Sequence, residues 1–173
     1  VLPARNRVRI ATEVWKLNPR FVRYVPNGID LDRFAAQAKT PHDGPPVVGT
    51  VAALRTEKNL ARLIRAFARA VAETPARLVI VGDGEERPAL TALAASLGVT
   101  EQVTFTGHRN DTPALYAGFD IFALSSDTEQ MPLSAIEAMA SGLSGVSTDG
   151  GAVRALWAAE NDAFWGPVGD TAL

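Results

Sequence analysis

Val47-Val48-Gly49-Thr50-Val51-Ala52-Ala53-Leu54 is an apolar run that stops at Arg55-Thr56-Glu57-Lys58-Asn59 and then gives way to Leu60, Leu63, Ile64, Phe67 and Val71 at helical spacing. An apolar run this short, with no alternation, suits a strand buried in a parallel sheet. The spacing after it predicts a helix over Asn59 to Glu73. Arg77 to Val81 then reads as a second buried strand. Strand, crossover helix and strand form one right-handed βαβ unit, and the two strands run parallel.

The pattern continues downstream. Glu85 to Leu97 reads as a helix stopped by Gly98, and Gln102 to Phe105 as a third strand. Thr112 to Ala117 is a short helix with Asp111 or Thr112 as its cap. Phe119 to Leu124 is a fourth strand, Leu133 to Ala140 a helix closed by Gly142, and Gly145 to Thr148 a fifth strand. Val153 to Ala159 reads as another helix and Ala163 to Trp165 as a last strand, with Trp157 and Trp165 in the core. Upstream, residues 5–17 read as a helix ending near Asn18-Pro19. Phe21 to Val25 reads as a short strand stopped by Pro26-Asn27-Gly28, and Thr40 to Pro46 as an exposed loop. The fold class is α/β, a Rossmann-like three-layer domain with a mostly parallel sheet. No internal repeat or low-complexity segment interrupts it.

Composition narrows the chemistry. With 173 residues, 47% hydrophobic and 21% charged, the chain has the makings of one soluble domain with a sizeable core. No apolar run approaches the roughly 20 residues of a membrane span. Val1 to Arg9 is charged and shows no secretory leader. The chain opens without Met and is read as part of a longer protein, in the cytoplasm or peripheral to a membrane. The absence of cysteine excludes disulfides and thiolate metal sites. His42 and His108 are too few for a common zinc site, and a net charge of −2 argues against a nucleic-acid surface.

A parallel sheet binds ligands beyond the carboxyl ends of its strands, so the residues just past each strand carry the functional reading. Lys58 stands before a helix start, where a cation and free amides together attract an anion. Gly82-Asp83-Gly84 looks like a dinucleotide fingerprint, but Arg87 occupies the third glycine position and the motif falls on the second unit rather than the first. His108 and Arg109 follow the third strand. After the fourth comes Ser125 through Gly142, with Glu129 in the loop and Glu137 in the second turn of the next helix. Ionised carboxylates only accept hydrogen bonds, which suits the hydroxyls of a sugar or ribose, while loop amides suit phosphate oxygens.

From Val22 to about Asp170 the chain resembles the C-terminal domain of family 4 of the GT-B glycosyltransferases. The matching stretches occur in the family's order. They are Val25-Pro26-Asn27-Gly28-Ile29-Asp30 with Phe34, Val48-Gly49, Glu57-Lys58-Asn59, Leu78-Val79-Ile80-Val81-Gly82-Asp83-Gly84 and Val103-Thr104-Phe105-Thr106-Gly107. Last come Glu129 through Glu137, Ala138-Met139-Ala140-Ser141-Gly142 and Thr148-Asp149 with Gly151. The resemblance implies a retaining transfer of sugar from a nucleotide diphosphate donor, UDP- or GDP-linked. It implies no metal and no other cofactor. Lys58 would neutralise the diphosphate and Glu129 would bind the donor sugar. The amides of Gln130, Met131 and Leu133 would face sugar and phosphate. Glu137 would bind the ribose, and Gly82 and Arg109 would border the donor. All 173 residues are expected to form the donor-binding domain, with residues 1–20 as an interdomain helix. An acceptor-binding domain is expected before residue 1, and an exposed interdomain face would let the fragment dimerise.

The sequence departs from the family at four places. Ala53 stands where an arginine is usual, and Arg55 is the expected substitute. Gln130-Met131-Pro132 replaces a glycine-aromatic-glycine, Ser144-Gly145 replaces a Pro-Val, and Ala152 replaces a polar residue. A nucleotide-sugar epimerase of the same architecture and a non-catalytic binding module remain as alternatives, with a Rossmann oxidoreductase more distant. The donor-site reading requires Glu129, Lys58 and Glu137 to face one cleft.

Overall fold

The computed structural model describes residues 1–35, 39–149, 153 and 164–166. Among these residues six strands form one sheet: β1 (Val47–Val51), β2 (Arg77–Val81), β3 (Val103–Gly107), β4 (Ile121–Leu124), β5 (Ser144–Thr148) and β6 (Phe164–Gly166). Their order is β3-β2-β1-β4-β5-β6, and all five pairings are parallel. The expected sheet is therefore present and wholly parallel. The helices are α1 (Arg5–Arg9), α2 (Leu31–Ala35), α3 (Leu60–Val71), α4 (Arg87–Ser96), α5 (Thr112–Ala117) and α6 (Leu133–Ala140).

Alternation along the strands divides the core between the two faces of the sheet. Leu78, Ile80 and Ala123 join Leu60, Leu63, Ile64 and Phe67 of α3 and Leu90 and Ala94 of α4 on one side. Val81, Phe122 and Leu124 join Phe34 of α2, Tyr116 of α5 and Ala135 and Ala138 of α6 on the other. Leu54 and Leu60, on either side of the Lys58 loop, are fully buried, and so this loop is anchored at both ends. Asn59 begins α3. Its side chain accepts from the Arg62 amide at 3.2 Å, and its backbone takes φ 42°, which Asn tolerates better than most residues.

The start of β1 is held by Asp120. Its Oδ2 accepts from the Val47 amide at 2.9 Å and lies 2.9 Å from His42 Nε2, while Oδ1 pairs with Lys39 at 2.8 Å. The hydrogen bond from Lys39, helped by Val47 and His42, outweighs burial and holds the carboxyl down to about 2. A folded-state value below the unfolded one stabilises above about pH 4, and that contribution fades as pH falls from about 4 towards 2. The stability gap between the native chain and Asp120→Asn, read from urea midpoints, should be open at pH 6 and should narrow at pH 2.5. A gap independent of pH would rule out this charge effect.

Two upstream expectations are corrected. The single helix over residues 5–17 is instead α1 followed by a π-helical turn, Ile10–Val14, and the chain has left the helix by Lys16, at φ 54°. The Thr12 hydroxyl donates to the Val8 carbonyl at 3.0 Å, a back-bond that disturbs helical geometry. Phe21 to Val25 is not a strand. Pro19–Phe21 is a 3-10 turn, and Tyr24 makes one isolated bridge, to Leu2. Asp111 precedes α5 without a side-chain capping bond. Of the expected helix over Val153 to Ala159, all but Val153 lies outside the described residues, as do Trp157 and Gly151.

Candidate functional site

The strand order sets the position of the site. From β1 the chain moves to β2 and β3 on one side, whereas β4 and β5 lie on the other. The loops leaving β1 and β4 therefore diverge and open a crevice between them, the switch point where open parallel sheets bind ligands. Lys58 leaves β1 on the 3-10 turn Thr56–Lys58, and Glu129 lies in the loop after β4.

The two side chains meet. Lys58 Nζ donates to Glu129 Oε1 at 2.6 Å, and Ser126 Oγ donates to the same oxygen at 2.7 Å. Glu129 is buried, and Lys58 keeps about a quarter of its side-chain surface. Oε2 of Glu129 accepts no hydrogen bond from the described residues. The pair lines a cleft of about 270 Å³ together with Arg7, Glu57, Thr128, Gln130 and Met131. That volume falls just below the roughly 300 Å³ at which small-molecule pockets begin.

Both loops are fixed by a network the sequence did not reveal. Arg62, buried on the first turn of α3, donates to the Ser125 carbonyl at 2.8 Å and to Asp127 Oδ1 at 2.6 Å. Asn59 also donates to Asp127, the Asp127 amide to the Glu57 carbonyl, and Ser125 Oγ to the Lys58 carbonyl. Burial pushes the Asp127 carboxyl up, but the bonds from Asn59 and Arg62 outweigh it and hold it below the usual carboxylate range. Thr148 Oγ1, at the end of β5, donates to the Ser126 carbonyl at 2.6 Å. These contacts fix the two backbones that carry Lys58 and Glu129, and preorganisation of this kind makes a charged pair useful to a ligand. Asn27, in the segment after Tyr24, adds a strap from the N-terminal side: its Nδ2 donates to the Met131 carbonyl and its amide to Met131 Sδ, both at 3.1 Å.

Other expected residues fall elsewhere. Glu137 is outside the lining of the cleft. Tyr116 Oη lies 2.9 Å from its Oε2 and 3.0 Å from the Ser134 carbonyl, and its one proton serves either. Burial raises the Tyr116 hydroxyl, the Glu137 charge raises it further, and the group stays a donor. Only Lys58 and Glu129 of the required three therefore converge. Arg55 is exposed and does not line the cleft, so the structure does not make it the substitute for the arginine missing at Ala53. Arg109 is exposed and pairs with Asp111. Leu133 opens α6, and the amides of Gln130, Met131 and Leu133 find no acceptor among the described residues. Gly82 is fixed by packing: at φ +133°, a Cβ there would meet the Ala52 carbonyl oxygen at 2.0 Å. His108 is exposed, 3.2 Å from Asn110. Among the described residues no group of three or more His, Asp or Glu could hold a metal ion, and no helix is long and apolar enough to cross a membrane.

The model of the family glycosyl transferases group 1 matches residues 32–172. The chain belongs to that family. This group 1 domain is 34% identical over 161 residues to a GDP-mannose-dependent alpha-mannosyltransferase of Mycobacterium tuberculosis, covering 88% of this chain and 40% of that protein. Anabaena Alr3699/HepE, solved in complex with UDP and glucose, superposes with a TM-score of 0.85 at 22% identity, covering 99% of this chain and 50% of that one. The C-terminal domain of LpcC, a glycosyl transferase group 1 family protein of Francisella tularensis, superposes with a TM-score of 0.70 at 21% identity, covering 83% of this chain and 82% of that one. The fold is that of the C-terminal domain of a GT-B glycosyltransferase. The group 1 domain spans about 40% of the length of the mannosyltransferase it matches.

Proposed function

We propose that this domain holds the donor of a nucleotide-diphosphate-sugar-dependent, retaining glycosyltransferase, whose acceptor is bound by a separate domain. The observation that carries the proposal is the Lys58–Glu129 pair, placed at 2.6 Å in a cleft at the switch point of the sheet. A departing nucleoside diphosphate gains negative charge as the glycosidic bond to it breaks. A cation and free amides fixed in advance around that charge stabilise the transition state more than the bound substrate. Lys58 supplies the cation, and the amides of Gln130, Met131 and Leu133 supply donors. Glu129 Oε2 accepts from hydroxyls of the donor sugar and fixes its orientation. Glu137, held by Tyr116 outside this cleft, has no part in this reading, which rests on Lys58 and Glu129. Charge on the diphosphate is offset by side chains and amides, so EDTA should leave turnover unchanged; loss of activity restored by a divalent ion would refute that part.

The relatives carry names with mannose and glucose transfer, and HepE was solved with UDP, which supports a nucleotide-sugar donor. No observation favours the epimerase reading. The deciding measurement is a thermal-shift titration of this chain with UDP, GDP, ADP and their sugars. A ligand bound only by the folded state at about 100 times its Kd adds about 2.7 kcal/mol and raises Tm by several degrees. One nucleotide diphosphate should raise Tm in this way, and the free base should not. If none of them shifts Tm or gives heat in calorimetry, the donor-site reading is wrong. The stereochemical part follows from the family resemblance, and the anomeric coupling constant of the product checks it.

A further inference from the structure

The charge balance of the cleft depends on a residue from the other end of the sequence. Lys58 is already neutralised by Glu129, and Glu57 adds a second carboxylate to the lining. Without another cation the cleft would be net negative and would repel a diphosphate. Arg7 supplies that cation. It lies on α1, lines the same cleft and is half-buried, and its guanidinium makes no ion pair with the described residues. Its position is held by buried Ala4 before it and buried Ala11 after it, by the Leu2–Tyr24 bridge and by Arg5 over the Tyr24 ring at 5.6 Å. Arg7 therefore differs from Arg9, two residues on, which is exposed and approaches Glu13 at 4.0 Å.

We infer that Arg7 is a binding and specificity-determining residue of this site, pairing with a phosphate of the nucleoside diphosphate while Lys58 is shared with Glu129. A guanidinium presents two parallel N–H donors to phosphate oxygens, stays charged at any working pH and desolvates more readily than an ammonium. It requires no carboxylate to release it, whereas Lys58 exchanges one partner for another. The segment before the sheet thus belongs to the donor site, and specificity for diphosphate over uncharged ligands depends on it. This inference rests on the donor-site reading above.

The test compares binding of UDP, GDP, ADP and pyrophosphate to the native chain, Arg7→Ala, Arg7→Gln, Arg7→Lys and the control Arg9→Ala, by calorimetry. Arg7→Ala should weaken the nucleotide that binds, and pyrophosphate, about tenfold or more. Arg7→Lys should fall between, because it keeps the charge and loses the fork. Arg9→Ala, which removes the same charge from the same helix, should match the native chain. Arg7→Gln keeps most of the side chain and gives the same reading if the alanine variant fails to fold. Native-like binding by Arg7→Ala or Arg7→Gln overturns the inference and leaves the donor-site reading standing. So does an equal loss in Arg9→Ala, which would mean net charge alone is felt. If the native chain binds no nucleotide, the donor-site reading falls and the inference with it.

Discussion

Gly82→Ala is expected to cost the domain about 3 kcal/mol of stability, from about 1–3 kcal/mol of backbone strain plus displacement of a neighbouring carbonyl. At φ +133° the position lies in a region nearly closed to side chains, and the new Cβ would sit 2.0 Å from the Ala52 carbonyl oxygen. That oxygen belongs to a backbone that cannot easily yield. Ala52 donates to the Val81 carbonyl at 3.0 Å, Gly82 donates to the Gly107 carbonyl at 2.9 Å, and Leu54 donates to the Asp83 carbonyl at 3.0 Å. The loops after β1, β2 and β3 are thus laced edge to edge, and a methyl group at residue 82 must push them apart. The expected signature is a lower urea midpoint with an unchanged slope, and a Tm about 6–12 °C lower. Gly98→Ala is the comparison. Gly98 also has positive φ, at +71°, but has nothing within 4 Å of its Cβ position, so only about 1 kcal/mol of conformational cost applies. Equal losses at the two glycines would show that the contact with Ala52 is not what requires Gly82. A large loss of stability at Gly82 also means that any loss of ligand binding there cannot be taken as evidence of donor contact.

The elements that were readable in the sequence are those whose side chains state their own burial. Val47 to Val51, Arg77 to Val81 and Ile121 to Leu124 are short apolar strands covered on both faces, and α3 carries one unbroken apolar stripe. Gly98 and Gly142 stop helices at φ +71° and +73°, so the backbone confirms what the residue type suggested. Residues 5–25 were harder to read because their apolar residues have no sheet to join. Phe21 is 84% exposed and Trp15 57% exposed, and a strand-like composition cannot make a strand where, among the described residues, the one bridge is from Tyr24 to Leu2.

The site was legible where one residue does the work and illegible where pairs do. Lys58 and Glu129 stand at predictable places after strands. By contrast Arg62 with Asp127, Tyr116 with Glu137 and Asn27 with Met131 are partners 65, 21 and 104 residues apart. Arg62 looks like one more cation on a polar helix face. Only its burial against the Ser125 carbonyl marks it as the residue that ties the two site loops together. Arg7 is the same case: nothing in Arg5 to Arg9 separates one arginine from the next until α1 lies beside the cleft.

Lys58 and Glu129 should respond to mutation as one unit, and in opposite directions for the two halves of the donor. In the complete enzyme, Lys58→Ala is expected to lower turnover about 100- to 1000-fold, the usual cost of removing one preorganised charge from a developing anion. It should also weaken nucleoside diphosphate binding. Glu129→Gln keeps the shape and an oxygen for Ser126 Oγ but removes the charge that now holds Lys58 at 2.6 Å. The freed ammonium is then available to phosphate, so nucleoside diphosphate should bind several-fold tighter even though turnover falls with the loss of the sugar's hydrogen-bond acceptor. The double variant should lose less turnover than the product of the two single losses, because contacting partners are not additive. Calorimetry with the free diphosphate and steady-state rates with the sugar donor read the two effects separately. If Glu129→Gln weakened the free diphosphate as much as Lys58→Ala does, Glu129 would be supporting the phosphate site, and its assignment to the sugar would have to be abandoned.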